Sequence, residues 1–439
     1  GSAGLSMNTE AMATPATVSP WRSHGLLLLL ALMYADNFVG RQIVAVMIEP
    51  IKHEFGASDT SMGLISGLAF AAVFAVLGLP AGRLADRLPR IGVVAASCAL
   101  WGIATILCGF TGSFLLLVLA RMAVAAAEAP AAPAALSLIA DLYPPQRRAF
   151  AISLFTAAPT FAAIIALSLG AWMVDAWGWR MSFIAAGAPA LLIGALVLTL
   201  GREPRRGRWD AVSHHPHPLD MRSTLKVLWS EKAVRYLVLA SATATLGGTA
   251  FGMWNATFLV RSYGLALQHA GLLTGLVGGI SAGVGVMFAG WLSDRLGSRG
   301  ARWRLSVPIL GHTIGLLSLA IYLFWPSDIW LEIAGIPVPE AMLWCAVNGF
   351  FSVWWLGPSF ALLTTLTNPR IRAVAIALQT LLSTLFGVGF GPVLIGTLSD
   401  LLYPYLGIEA LRHALLLGCA TSLGAMILLY RTGRHLPRT

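Results

Sequence analysis

Two hexapeptides decide how the chain is to be read: Gly82-Arg83-Leu84-Ala85-Asp86-Arg87 and Gly290-Trp291-Leu292-Ser293-Asp294-Arg295. Each ends an apolar run long enough to cross a bilayer and is followed by more basic residues. A second pair, Arg148-Ala149-Phe150-Ala151-Ile152 and Arg372-Ala373-Val374-Ala375-Ile376, recurs at a matching place in the order of runs. Two independent pairs, each separated by six runs, imply two homologous halves.

Working outward, the 439 residues are 57% hydrophobic and 11% charged, with a mean hydropathy of +0.77. That much apolar surface suits helices of about 20 residues each inside a bilayer. The chain is therefore expected to be an all-α polytopic membrane protein. Its spans are read as His24–Ile48, Ser61–Leu84, Gly92–Phe110, Phe114–Leu142, Arg148–Val174, Met181–Leu200, Val234–Val260, Ala270–Leu292, Leu305–Trp325, Pro339–Leu366, Ala373–Leu398 and Leu411–Tyr430. The domain reading has a tag remnant and disordered tail over 1–23, a six-helix bundle over 24–200 and a basic linker over 201–232. A second bundle spans 233–430 and a tail 431–439. No cleavable secretory signal is expected, because the first apolar run continues past Gly40.

The net charge of +10 does not imply nucleic acid, since the basic residues are spread over short loops. Of the 29 Lys and Arg, only Lys52, Arg180, Arg261 and Arg412 fall in loops on one side of the expected membrane. Arg41 and Arg121 fall at membrane depth, and all the rest lie on the other side. That bias places both termini in the cytoplasm and the protein in the cell (inner) membrane. Cys98, Cys108, Cys345 and Cys419 lie in apolar runs without metal or disulfide spacing, and His214, His215 and His217 lie in the solvated linker. No metal, cofactor or enzymatic constellation is expected, and the chain reads as a monomer.

Within Leu119–Asp141, LARMAVAAAEAPAAPAALSLIAD, Arg121 and Glu128 lie seven residues apart. They share one helix face, roughly 10 Å apart along the axis. Ionisable groups at that depth face a bundle interior or a wet cavity, and they mark pathways. Parallel halves of six helices around a central cavity are the architecture of a rocking secondary transporter.

Gly-x-Leu-x-Asp-Arg followed by a basic residue resembles the loop signature of the major facilitator superfamily, carried here over Gly82–Arg90 and Gly290–Arg299. Six further motifs are similar to the spinster-like branch: Glu49-Pro50-Ile51-Lys52, Gly78-Leu79-Pro80, Arg121 with Glu128-Ala129, Asp141-Leu142-Tyr143-Pro144, Gly178-Trp179-Arg180 and Arg202-Glu203-Pro204. This likeness covers Ala31–Pro204; the second half is recognisable at superfamily level. It implies proton- or gradient-coupled transport of an amphipathic lipid such as a sphingolipid or lysophospholipid. A small organic anion or a drug is the alternative substrate.

Proton coupling requires a carboxyl group that loads on one side and releases on the other. Burial favours its neutral form and a nearby arginine its ionised form. Glu128 with Arg121 or Arg41 supplies those parts. The first span departs from the branch pattern Asn-Phe-x-Asp-Arg-Gln, because Gly40 stands at the acidic position in Asn37-Phe38-Val39-Gly40-Arg41-Gln42. Either the natural protein lacks that acid or Gly40 is a substitution. Asp36, one turn earlier, is a substitute partner for the arginines.

Gating is assigned to Gly82, Asp86, Arg87 and Arg90, to Asp294 and Arg295, and to Asp59, which otherwise reads as an N-cap. Cavity candidates are Arg41, Asn37, Trp254, Asn255, Asn348 and Gln379. Trp354 and Trp355 suit a membrane-interface belt or a ligand wall equally. No acid or base is expected deep in the second half, which reads as an apolar wall for a lipid tail.

Overall fold

A computed structural model describes residues 20–206, 221–367 and 371–436. The N-terminal tail, the three linker histidines and the last residues of the C-terminal tail lie outside the described residues. Among the described residues, ten stretches are long and apolar enough to cross a membrane. One of them, within the helix Pro145–Leu200, bends at Gly178 into two spans, and Leu417–Arg434, beyond the last of them, adds the twelfth. The fold is the all-α, twelve-span arrangement of two facing bundles. Helices are forced on these runs because hydrocarbon leaves each backbone N–H and C=O no partner but its own chain.

The first span reaches further than expected, as Pro20–Gln42 followed by Val44–Phe55. Pro50 does not end it, because a neighbouring bundle tolerates the missing N–H. It stops at Gly56, whose φ of 62° caps the helix with an N–H to the Lys52 carbonyl. The second span runs from Asp59 to Arg87 through a π-helical turn at Leu64–Leu68. The fourth divides at Pro130 into Phe114–Glu128 and Ala131–Leu142, which makes Glu128 the last residue of a helix. Gly178, at φ 79° and ψ 164°, turns the fifth span into the sixth in a conformation that a side chain would oppose.

The seventh span is Lys232–Tyr263, preceded by a helix Met221–Ser230 where a loop was expected. The eighth runs from Leu267 to Gly297 with its own π turn at Thr274–Gly278, and the ninth is Ala301–Phe324. A two-stranded antiparallel hairpin, Ile329–Ile333 with Ile336–Pro339, joins it to the tenth, which comprises Met342–Ser352 and Leu356–Leu366. The eleventh starts at Arg372, passes a π segment at Ser383–Phe390 and ends at Leu406. The twelfth runs from Ala410 to Arg434.

The halves meet where glycines remove side chains. A Cβ on Gly67 in the second span would come 2.5 Å from the Val388 carbonyl oxygen of the eleventh. One on Gly271 in the eighth would come 2.2 Å from Ala171 Cβ of the fifth. Small residues permit this approach between spans, where dispersion rather than water exclusion drives packing.

Candidate functional site

The first element of the site is a buried polar cluster where the first and fourth spans touch. Arg41 Nε donates to Glu128 Oε2 at 3.0 Å; the Arg41 side chain is 24% exposed and that of Glu128 is 1%. Arg41 is therefore the solvent-side member of the pair. Its guanidinium also lies 4.5 Å from the ring centroid of Phe70, 4.8 Å from Phe38 and 5.1 Å from Phe74. Such faces attract a cation and surround it with apolar surface.

Arg121 is buried, and its Nη1 donates to the Gly40 carbonyl at 3.0 Å while its Nε has no partner among the described residues. It does not pair with Glu128, since two turns of helix hold them apart; the first span comes between as the partner of both. Gly40 leaves space, because a Cβ there meets nothing within 4 Å. Asn37 is buried beside Glu128, with its Oδ1 unpartnered. Asp36 does not reach either arginine: it turns to Trp101 and Cys98 of the third span. Its proposed role as their partner is not supported by this geometry.

The second element is a cavity of about 340 Å³ between the bundles. Gln42, Ala163 and Leu167 line it from the first half. The second half contributes Asn255, Thr274, His312, Asn348, Ser352 and Trp355 among others. Of the six cavity candidates, the structure brings Asn255 and Asn348 to this space. Asn255 accepts from the Tyr322 hydroxyl at 2.6 Å and donates to Cys345 Sγ at 3.6 Å, so its amide is held in place.

Trp254 does not line the cavity; it is buried and donates to the Pro392 carbonyl at 3.0 Å, joining the seventh and eleventh spans. Gln379 is also away from it, buried with neither amide atom partnered among the described residues. Trp354 is neither belt nor ligand wall, because it is buried in tilted and edge-on contact with Phe288, Phe350 and Phe351. The apolar-wall expectation fails at His312, which lies in the middle of the ninth span and lines the cavity. A lone histidine in an apolar run gives little signal in sequence; only the neighbouring spans show that its face is the wet one.

The third element is a charged cluster that joins the two halves at one end of the spans. Arg261 donates from Nε to Glu49 Oε1 at 2.8 Å, and from Nη1 and Nη2 to the two Asp59 oxygens at 2.7 and 2.8 Å. Lys52 Nζ and Ser399 Oγ each donate to Asp59 at 2.7 Å. The Asp400 carboxylate accepts the backbone N–H groups of Asp59 and Thr60 at 3.1 and 2.7 Å and the Thr60 hydroxyl at 2.6 Å. Ser58 supplies the local cap of that helix, accepting from Ser61 N at 3.1 Å, which corrects the reading of Asp59 as the N-cap. Asp400 thus places an anion from one half at a helix N-terminus of the other, where the dipole favours it. Glu49, Arg261, Ser399 and Asp400 escaped sequence reasoning because charges at the ends of spans look like ordinary solvated boundaries.

The Major Facilitator Superfamily profile matches residues 30–392, most of the chain. The chain belongs to the Major Facilitator Superfamily. Among its relatives in that superfamily, an MFS-type efflux pump of Mycolicibacterium smegmatis is 32% identical, over 91% of this chain and 89% of that protein. The sphingosine-1-phosphate transporter SPNS2 of Danio rerio is 26% identical, over 88% of this chain and 78% of that protein. A bacterial homolog of the human lysosomal transporter Spinster, solved inward-facing and unoccupied, superposes with a TM-score of 0.85 at 24% identity, covering 95% of this chain and 98% of that one. The protein is a membrane transporter and not an enzyme.

The superfamily's signature loops lie at the opposite end from Asp59. The side chains of Gly82 and Asp86 are outside the described residues, while Arg87, Asp294 and Arg295 are exposed. Arg90 is fully buried. It bonds Asp141, donates to Ser137 Oγ at 2.9 Å and Glu203 Oε1 at 2.7 Å, and reaches the Pro204 carbonyl at 2.9 Å. These partners lie in the fourth span and in the segment that directly follows the sixth. Among the described residues no ion pair joins the halves at this end.

Proposed function

We propose that this transporter carries an anionic, amphipathic lipid-like molecule by alternating access, coupled to protons through Glu128. The carrying observation is the Arg41–Glu128 contact between the first and fourth spans, with a solvent-side arginine set among three phenylalanines. An arriving anionic headgroup competes with Glu128 for Arg41, and the released carboxylate then takes a proton, because a lone buried carboxylate is costly to keep charged. The rings offer apolar surface to the adjoining chain. Arg121, bonded to the backbone at Gly40, holds the first span against the fourth while this exchange proceeds.

The basic-loop bias places the Arg90 end and both termini on the cytoplasmic side of the inner membrane. In that orientation the Asp59 cluster is the outer gate, and the conformation is inward-facing. The unit of transport is the monomer.

The test is substrate-driven proton flux in proteoliposomes. Glu128→Gln is expected to abolish pH-driven uptake while leaving exchange at equal pH, and lysophospholipids are expected to compete for transport. Unchanged pH-driven uptake in Glu128→Gln removes the coupling site. A second reading, a small organic anion or drug, is favoured by the hydroxyl and amide lining of the 340 Å³ cavity and by the likeness to an efflux pump. Failure of lysolipids to compete selects it.

A further inference from the structure

The ninth span carries an ionisable side chain that the coupling scheme does not use. His312 lies halfway along Ala301–Phe324, is 4% exposed and lines the cavity, and its Nε2 has no partner among the described residues. Gly315, one turn on, brings the tenth span close, since a Cβ there would sit 3.5 Å from Ser352 Cα. That approach sets His312 beside a helix which presents Asn348 and Ser352 to the same space. An imidazole nitrogen left unpartnered in a protein interior forfeits a hydrogen bond, so a packing role does not account for it.

The surroundings restrict what it can bind. Among the described residues the cavity lining contains no carboxylate, lysine or arginine, and Cys345 of the tenth span is its other titratable group. On the helices packed against the ninth span, Cys419 donates to the Leu316 carbonyl, and Asp294, Arg295, Arg431 and Arg434 lie near helix ends, away from the cavity. An anion entering such a space alone would lose its hydration without a counter-charge. Imidazole is the one group lining this space that can acquire a positive charge, by taking up a proton together with an arriving anion.

We propose that His312 is the anion-recognition residue of the second half: the imidazole binds a proton and the substrate's anionic group together, as an ion pair flanked by Asn348 and Ser352. The ligand class is a monoanionic headgroup, carboxylate or phosphate, on an apolar chain. This deepens the transport reading and rests on it for the substrate class, but it puts a second proton-binding step in the half opposite Glu128.

The experiment is calorimetric binding to the purified full-length protein in detergent, with octane-1-sulfonate as probe because its charge is constant between pH 5.5 and pH 8. Wild type is expected to bind about tenfold more tightly at pH 5.5. His312→Gln is expected to lose that difference, and His312→Lys to bind tightly at both values. Neutral octyl glucoside is expected to be insensitive to pH and to His312→Gln. Octanoate and octyl phosphate then distinguish the two headgroup sources. Unchanged affinity and pH dependence in His312→Gln overturns the proposal, as does transfer of the whole pH effect to Glu128→Gln or an equal loss for the neutral probe. Binding in micelles needs no transport cycle, so intact binding without pH-driven flux rejects proton coupling through Glu128 and leaves His312 standing.

Discussion

At Gly40 the missing side chain is as informative as its neighbours. The residue is buried, its carbonyl holds Arg121, and a Cβ meets nothing within 4 Å, so the first side-chain atom of Gly40→Asp has room. The new carboxylate stands one residue before Arg41 and next to the backbone group that Arg121 binds. We expect it to bind an arginine now shared with Glu128 or the backbone, and to change the pH dependence of proteoliposome uptake while thermal stability stays within about 1 kcal/mol. An unchanged pH profile would show that this position does not speak to the coupling site. Arg41→Gln is the complement. Leaving Glu128 buried and unpaired is expected to cost about 3–5 kcal/mol in the ionised state, measured as lost thermal stability that recovers at low pH, where the carboxyl is neutral.

At the scale of elements, the contact worth testing is Asp400 on the start of the second span. Three hydrogen bonds cross between the halves there, and two of them use backbone N–H groups that an α-helix leaves free at its beginning. Asp400→Asn keeps much of the geometry but loses the charge, for an expected cost of about 1 kcal/mol to this closed arrangement. Arg261→Ala is expected to cost more, because it leaves Asp59 and Glu49 without their shared cation. Spin labels on the exposed His53 and Tyr405, one in each half at this end, read the result as a distance distribution. Both variants should shift it to longer distances, Arg261→Ala further; an unshifted distribution would mean that the glycine contacts alone hold this end shut.

For the whole molecule, the asymmetry between its ends separates two kinds of charge network. Arg90 ties the third and fourth spans to the segment that follows the sixth, so Arg90→Ala should lower thermal stability by about 3–5 kcal/mol and leave the His53–Tyr405 distance as it was. Movement of that distance would instead make Arg90 part of the gate. Gly271→Val has the opposite signature. Its side chain would collide with Ala171 and the Leu167 carbonyl across the interface, so the closed state should lose about 1–3 kcal/mol while each bundle stays folded. Rocking requires halves that are stiff within themselves and weakly joined to each other, and Arg90 and Gly271 serve those two requirements separately.

The sequence by itself determined the class, the two halves, the family and the burial of charge at Arg121 and Glu128. Apolar runs of membrane length, a motif repeated six spans later, and ionisable residues within those runs are all local or periodic signals. Glu128 and Arg121 were legible because charge is so costly in hydrocarbon that its presence stands out. Which arginine Glu128 binds was not legible, since Arg41 reaches it across 87 positions of chain. Nor was the turning of Asp36 to Trp101, the removal of Trp254 and Gln379 from the cavity, or the entry of His312. A helix shows every face to the sequence reader equally, and the packing of neighbouring spans selects the one that meets the cavity. The Asp59–Arg261–Asp400 cluster, likewise, joins span ends that the sequence presents as separate boundaries, and only the approach of the two bundles makes them one lock.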